Sequence, residues 1–220
     1  MKSAIALSST IFARMLVLNL FCLSIWQRLI DLDHRVFTLI NQQGSSSFLD
    51  SVLPFLREAQ FWLPFYLFLI LFATLNFGVK GWWWSLAFLL TAALCDIISS
   101  QLIKENIFRL RPCQNPLLAT EIIIRVKYCP KSSSFTSSHA TTHFGLSVFI
   151  FHTFKRLSRW WMLVFLWAIA ICYTQVYVGV HYPLDVLAGG LIGCVIGMMM
   201  AYVFRKQIGL ITFDNQAGMQ

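Results

Sequence analysis

Apolar stretches of membrane-spanning length occupy most of this chain and limit what it can fold into. The windows 61–79, 82–103, 138–154, 160–180 and 184–204 are dominated by Leu, Ile, Phe, Val and Ala. Runs of 17–25 such residues match helices crossing a ~30 Å hydrocarbon core. Within that core each backbone N–H and C=O must be satisfied inside the segment, which selects helices over open strands. Charged residues make up 12% of the chain and mean hydropathy is +0.68, against ~25% charged in a soluble domain.

A sixth window, 4–26, is interrupted by Arg14. A basic start before an apolar stretch also describes a signal peptide or a surface-lying helix. The stretch is long for a signal core, however, and no small-x-small cleavage site closes it. It is read as a retained helix, with Arg14 turned to protein or to the interface, because a cation facing lipid is costly. Residues 28–41 then place Leu29, Leu32, Val36, Phe37 and Ile40 on one helical face, with Asp31, Asp33 and Arg35 elsewhere, and the segment 41–47 with Gly44 stops that helix. This describes an amphipathic helix in the interface or packed on the bundle. The expected fold is an all-α polytopic membrane bundle, a single domain over 1–220, with six transmembrane helices plus the interfacial amphipathic helix.

Trp62, Trp82, Trp83, Trp84, Trp160 and Trp161 stand at span ends, where indole rings favour the headgroup level. Gly189, Gly193 and Gly197 recur every four residues and are read as helix-packing positions, with a dimer face as the alternative, so the oligomeric state stays open.

The net charge of +8 is not spread as a nucleic-acid groove. Discounting the loop from Lys104 to Lys131, the basic segments 155–159 and 205–206 favour the cytoplasm. The partner is therefore the lipid bilayer, and no nucleic acid is implied. With a cytoplasmic start and six crossings, the outer loops are 27–60, 104–137 and 181–183.

Three polar clusters then meet on the outer side. Lys104 and Arg111-Pro112 follow one span, Ser137-Ser138-His139 opens another, and His181 and Asp185 straddle the last junction. An ammonium and a guanidinium fork are the side chains that grip phosphate oxygens. Free amides at a helix start bind anions, and serine hydroxyls add donors. His139 could protonate a departing alkoxide. His181 could attack phosphorus if its other ring nitrogen were fixed, and Asp185, one turn later, could fix it. Singly, these clusters also read as a basic helix end, a helix cap and a surface His/Asp pair; together they point to phosphoryl transfer. His143 either lines the pocket or is a satisfied core histidine, and Tyr177 either lines a substrate entrance or packs. Asp96, two turns before Lys104, is read as a structural hydrogen-bonded acid.

Lys104-x6-Arg111-Pro112, Ser137-Ser138-His139 and His181-x3-Asp185 together resemble the three-part signature of the type 2 phosphatidic acid phosphatase superfamily. The signature spans 104–185, and the bundle plan resembles the bacterial integral-membrane branch over nearly the whole chain. The resemblance implies hydrolysis of a membrane lipid phosphate monoester or diphosphate. His181 would become phosphohistidine with Asp185 orienting it, and His139 would protonate the leaving group. Lys104, Arg111, Ser137 and the Ser138 amide would hold the phosphoryl oxygens. The family needs no metal or other cofactor, and the nine carboxylates here do not cluster as a two-metal site would require. It also implies the inner membrane of a bacterium, with the site facing the periplasm. Undecaprenyl diphosphate, phosphatidylglycerophosphate, phosphatidate and lipid A phosphates all remain candidate substrates. A non-catalytic lipid-phosphate binder or transporter, or a lipid-to-lipid phosphotransferase, is the alternative on the same fold.

The chain departs from that signature in two places. Thr136-Ser137-Ser138-His139 stands where the family has Pro-Ser-Gly-His, and Thr174-Gln175 where it has Ser-Arg. Gln175 keeps a donor without the charge and stays among the phosphate-binding candidates; either Arg109 or Arg125 substitutes for the missing cation, or phosphate binding and rate are weakened. Of six cysteines, Cys22, Cys95, Cys172 and Cys194 fall in apolar windows, whereas Cys113 and Cys129 lie in the outer loop and are expected to form a disulfide.

Overall fold

The structure, a computed structural model, describes residues 2–118 and 121–210, with side chains from Asn19 onward apart from Leu117. Helix α1 runs Lys2–Thr38 and ends in a π-helical turn, Leu39–Gln43. Helix α2 is Ser47–Arg57, and α3 is Leu63–Phe77 behind a 3-10 lead, Ala59–Trp62. Helix α4, Val79–Asp96, continues as a π-helical stretch, Ile97–Ile103. Helix α5 is Ser138–Phe154, α6 is Val164–Tyr177 behind the 3-10 turn Arg159–Leu163, and α7 is Pro183–Gln207. There is no strand among the described residues.

The break expected between the windows 4–26 and 28–41 does not occur. No Gly or Pro stands between Lys2 and Thr38, so nothing ends the helix, and Gln27 donates to Asp31 one turn on, at 3.0 Å. The facing of Arg14 lies outside the described residues. The amphipathic face also divides. Phe37 is buried with Val176 and Tyr182, while Leu29 and Leu32 stay exposed. Asp33, placed off that face in the sequence reading, is buried.

Helix α2 lies in a stretch expected to be an outer loop. The Ser46 hydroxyl accepts from the Leu49 N–H at 3.3 Å, and Asp50 sits in the first turn, favoured by the helix dipole. Its inner face of Leu49, Leu53 and Leu56 packs on Tyr177, Val178 and Val180.

Four helical stretches are long and apolar enough to cross a membrane among the described residues: Ala59–Phe77, Val79–Ile103, Arg159–Tyr177 and Pro183–Gln207. They carry an outward shell of exposed Leu71, Leu75, Leu89, Leu166, Leu191 and Val195, the surface that a bilayer solvates. Helix α5, 17 residues long, is largely buried among its neighbours. This is a multi-pass membrane protein.

Not every tryptophan belongs to the interfacial belt. Trp82 and Trp83 are exposed, but Trp84 is fully buried. Its ring stacks 4.6 Å from that of Phe154, and its Nε1–H donates to Thr153 Oγ1 at 2.8 Å. Consecutive helical residues point about 100° apart, so three indoles in a row cannot share one face.

The glycine stripe of α7 packs against α5. A Cβ on Gly193 would lie 2.1 Å from the Thr141 carbonyl oxygen, and one on Gly197 would lie 2.2 Å from that of Gly145. Backbone meets backbone here, so neither side can yield by turning a side chain. Gly193→Ala is expected to cost about 1–3 kcal/mol by overpacking, read as a lower Tm in detergent. Gly190→Ala, whose Cβ meets only the Phe144 ring at 3.1 Å, is expected to cost less. Equal shifts for the two variants would contradict this packing.

Candidate active site

The junction between α6 and α7 is built to present His181. Gly179, at φ 85, turns the chain in a region that residues with a Cβ rarely adopt. The N–H groups of Val180 and His181 both donate to the Gln175 carbonyl, at 3.3 and 3.2 Å, closing the end of α6. Helix α7 begins at once: Pro183 occupies its first turn, and Asp185 Oδ2 accepts from the Tyr182 N–H at 2.9 Å. Asp185 is thereby fixed by the helix start itself.

His181 and Asp185 are both buried, with Nδ1 and Oδ2 3.7 Å apart. Ser134 sits between them, its hydroxyl donating to Asp185 Oδ2 at 2.5 Å and lying 3.5 Å from His181 Nδ1. On the other side of the ring, Nε2 is 3.1 Å from Arg111 Nη1. A guanidinium only donates, so Nε2 is the unprotonated nitrogen and the ring proton sits on Nδ1, facing Asp185 and Ser134. Burial pushes the His181 imidazole down to about 4, against the opposing pull of Asp185. The ring is neutral at pH 7, with its lone pair directed at the guanidinium.

Arg111 is held by the loop before α5, its Nε donating to the Ser132 carbonyl at 2.8 Å and Nη2 to the Ser133 carbonyl at 3.2 Å. Lys104 follows the π-helical end of α4, and its ammonium makes no hydrogen bond or ion pair among the described residues. Burial, then the neighbouring Arg111 charge, lowers it to about 8. Ser137 caps α5, accepting from the Ala140 N–H at 3.4 Å, and its own N–H donates to the Asp185 carbonyl at 3.1 Å. The starts of α5 and α7 are thus joined. The ring nitrogens of His139 have no hydrogen-bond partner among the described residues, and its ring lies parallel to that of His143. Ser138 Oγ is 3.0 Å from Ser100 Oγ, which donates to Asp96 at 2.8 Å.

Several accessory residues have other tasks. Arg109 donates to Asp185 Oδ1 at 2.6 Å and Asp33 Oδ2 at 2.5 Å, with its guanidinium 4.3 Å over the Tyr182 ring. Arg125 pairs with Asp50 and donates to the carbonyls of Asn41 and Tyr177 at 2.9 and 3.0 Å. Carboxylates already engage both guanidiniums, whereas the substitute cation considered from the sequence would be free for phosphate. Tyr177 does not line an entrance: it is fully buried, and its hydroxyl donates to Asp50 at 2.6 Å. His143 is a satisfied core histidine, Nδ1 lying 2.7 Å from the His139 carbonyl and Nε2 3.2 Å from the Tyr66 hydroxyl. Gln175 is fully buried, and both its amide atoms lack partners among the described residues. Cys113 and Cys129 are bonded, with Cα atoms 6.0 Å apart, bracing the loop that carries Arg111.

Sequence reasoning missed Asp33 and Ser134. Asp33 reaches the site through Arg109, 76 residues away in the chain. Ser134 lies in a serine-rich run that gives no sign of which hydroxyl turns inward.

The pattern of the PAP2 superfamily matches residues 81–208, more than half of the chain and all three clusters. The chain belongs to the PAP2 superfamily. It is a PAP2-type phosphatase by family, and its relatives agree. A lipid A 4'-phosphatase of Bacteroides thetaiotaomicron is 29% identical over 84% of this chain and 82% of its own length. An undecaprenyl-diphosphatase of Sulfolobus acidocaldarius is 28% identical over 86% of this chain and 89% of its own. Among solved structures, Aquifex aeolicus LpxE superposes with a TM-score of 0.56 at 25% identity, covering 78% of this chain and 95% of that one. A PAP2-type phosphatidylglycerolphosphate phosphatase of Bacillus subtilis shares the fold, with a TM-score of 0.58 at 21% identity over 82% of this chain and 88% of that one.

Proposed function

We propose that this PAP2 protein hydrolyses a phosphate monoester or diphosphate on a membrane lipid, without a metal, by way of a phosphohistidine at His181. The observation carrying this reading is the neutral His181 ring: Nδ1 backed by Asp185 and Ser134, with Nε2 aimed at Arg111. A phosphoryl group entering between Nε2 and the guanidinium would meet nucleophile and counter-charge at once. Nε2 attacks phosphorus, an N–P bond forms, and the P–O bond to the lipid breaks as His139 gives its proton to the departing oxygen. The bound phosphate's negative charge favours the protonated His139 that this step requires. Water then attacks phosphorus and gives a proton back to His139; an O–P bond forms, the N–P bond breaks, and inorganic phosphate leaves with His181 restored. Lys104, Arg111, Ser137, Ser138 and Gln175 surround the phosphoryl oxygens in this account.

The relatives favour a lipid A phosphate or an isoprenyl diphosphate as substrate. The basic segments 155–159 and 205–206 favour the cytoplasmic side, which with six crossings of a bacterial inner membrane turns the site outward. Phosphate release from purified lipid phosphates in detergent, with EDTA present, tests this. Release from at least one lipid is expected; none from any would leave a lipid-phosphate binder.

His181 and Lys104, which must be neutral and charged respectively before substrate binds, each predict one limb of the kcat/KM profile, which reports the free enzyme. His181, lowered to about 4, is nucleophilic above that pH and is lost as pH falls through it. Lys104, lowered to about 8, carries its charge below that pH and loses it as pH rises through it. Lys104→Arg should move the alkaline limb upward, because a guanidinium stays charged. An alkaline limb unmoved in that variant would remove Lys104 from the phosphate site.

A further inference from the structure

Arg57, the last residue of α2, stands outside the matched residues 81–208 and outside all three motif clusters. Its guanidinium makes no hydrogen bond or ion pair among the described residues, and its Nε is buried without a partner there. Its helix packs on segments that carry site residues. Leu53 and Leu56 pack on Tyr177, Val178 and Val180, the segment that presents His181, and on Cys113, two residues past Arg111. Trp62 anchors the next turn by donating from Nε1 to the Leu56 carbonyl at 2.8 Å. After burial, the Arg57 charge is the next cause that draws Arg111 down to about 10. The Arg57 guanidinium is paired with no carboxylate among the described residues, on a helix packed against the segments that present His181 and Arg111. Like charges brought together inside a protein repel unless an anion lies between them. Gln175 leaves a second gap, since its buried amide has donor and acceptor both unsatisfied. Unpaired buried polar atoms are costly unless a ligand completes them.

We infer that Arg57 is a phosphate-binding residue of this site, supplying from α2 the positive charge that Gln175 lacks where the family carries arginine. This rests on the phosphatase reading above. Arg57, Arg111 and Lys104 then surround the phosphoryl oxygens, while Gln175 contributes its amide N–H. A fork reaching down from α2 also makes substrate binding depend on a helix that the family signature does not include.

The test compares wild type with Arg57→Gln, Arg57→Lys, Gln175→Arg and the Arg57→Gln/Gln175→Arg double variant. Phosphate release and the affinity for orthovanadate, a phosphate analogue, are measured for each. A hydrogen-bonded charge contact carries about a ten- to hundredfold effect. Arg57→Gln is expected to lower kcat/KM by that factor, mainly through KM, and to weaken vanadate binding in parallel. Arg57→Lys should fall between the two. Gln175→Arg should recover part of the loss in the Arg57→Gln background and give no gain alone. Unchanged KM and vanadate affinity in Arg57→Gln would overturn the assignment. If Arg57→Gln does not fold, Arg57→Lys decides on the same two readouts. Wild type that releases no phosphate would sink the phosphatase reading separately; vanadate affinity would then decide this one, and wild type that binds no vanadate would end it.

Discussion

His181→Ala is expected to abolish turnover while lipid phosphate binding remains measurable. Removing the nucleophile leaves no atom to form the N–P bond, and water alone must then attack the phosphate. In a hydrolase that works through a covalent intermediate, such a loss is on the order of 10⁶-fold in kcat. Binding should persist because Lys104 and Arg111 are untouched, and Arg111 is held by Ser132 and Ser133 as well as by His181. Phosphate release and co-sedimentation with vesicles carrying the lipid phosphate separate the two effects. Release within tenfold of wild type would show that phosphorus is attacked from elsewhere.

His139→Ala should cost ~10²–10⁴-fold, the usual range for a general acid. The loss depends on how badly the leaving group needs a proton. An alkoxide needs it most; an aryl oxide or the phosphate of a diphosphate needs it least. Comparing a lipid monoester with an aryl phosphate should therefore show a large defect for the first and a small one for the second. The position of His139 suits this task, in the first turn of α5 with ring nitrogens that have no partner among the described residues. Equal losses on both substrates would instead mean that His139 only shapes the site.

Much of this was legible from the chain alone, for physical reasons that differ by element. The ends of α5 and α7 came out within a few residues because their polar clusters mark the boundaries of apolar runs. Helix α2 was missed because 27–60 was judged by its lack of a spanning window, although Ser46 and the Leu49, Leu53, Leu56 spacing carry a helix signal. His181, Asp185 and Arg111 do converge as their spacing suggested. Asp33 and Arg57 could not be placed, since an acid or a base in a polar stretch reads as solvated until its distant neighbours are known. Arg109 and Arg125 were considered for the phosphate because they are nearby cations. Only the fold reveals that Asp33, Asp185 and Asp50 already hold them. Trp84 shows the same limit, because a triplet of indoles looks uniform in sequence while helical rotation sends one of them into the core.

The central claim concerns a covalent bond, and trapping it is the most direct test. Purified protein mixed with a lipid phosphate and quenched in alkali, where an N–P bond survives, should carry one phosphoryl group. Peptide mass spectrometry should locate it on His181 in wild type and find more of it in His139→Ala, if deprotonation of the attacking water also slows. Turnover with no phosphorylated histidine at any quench time, or with phosphate on another residue, would contradict the account.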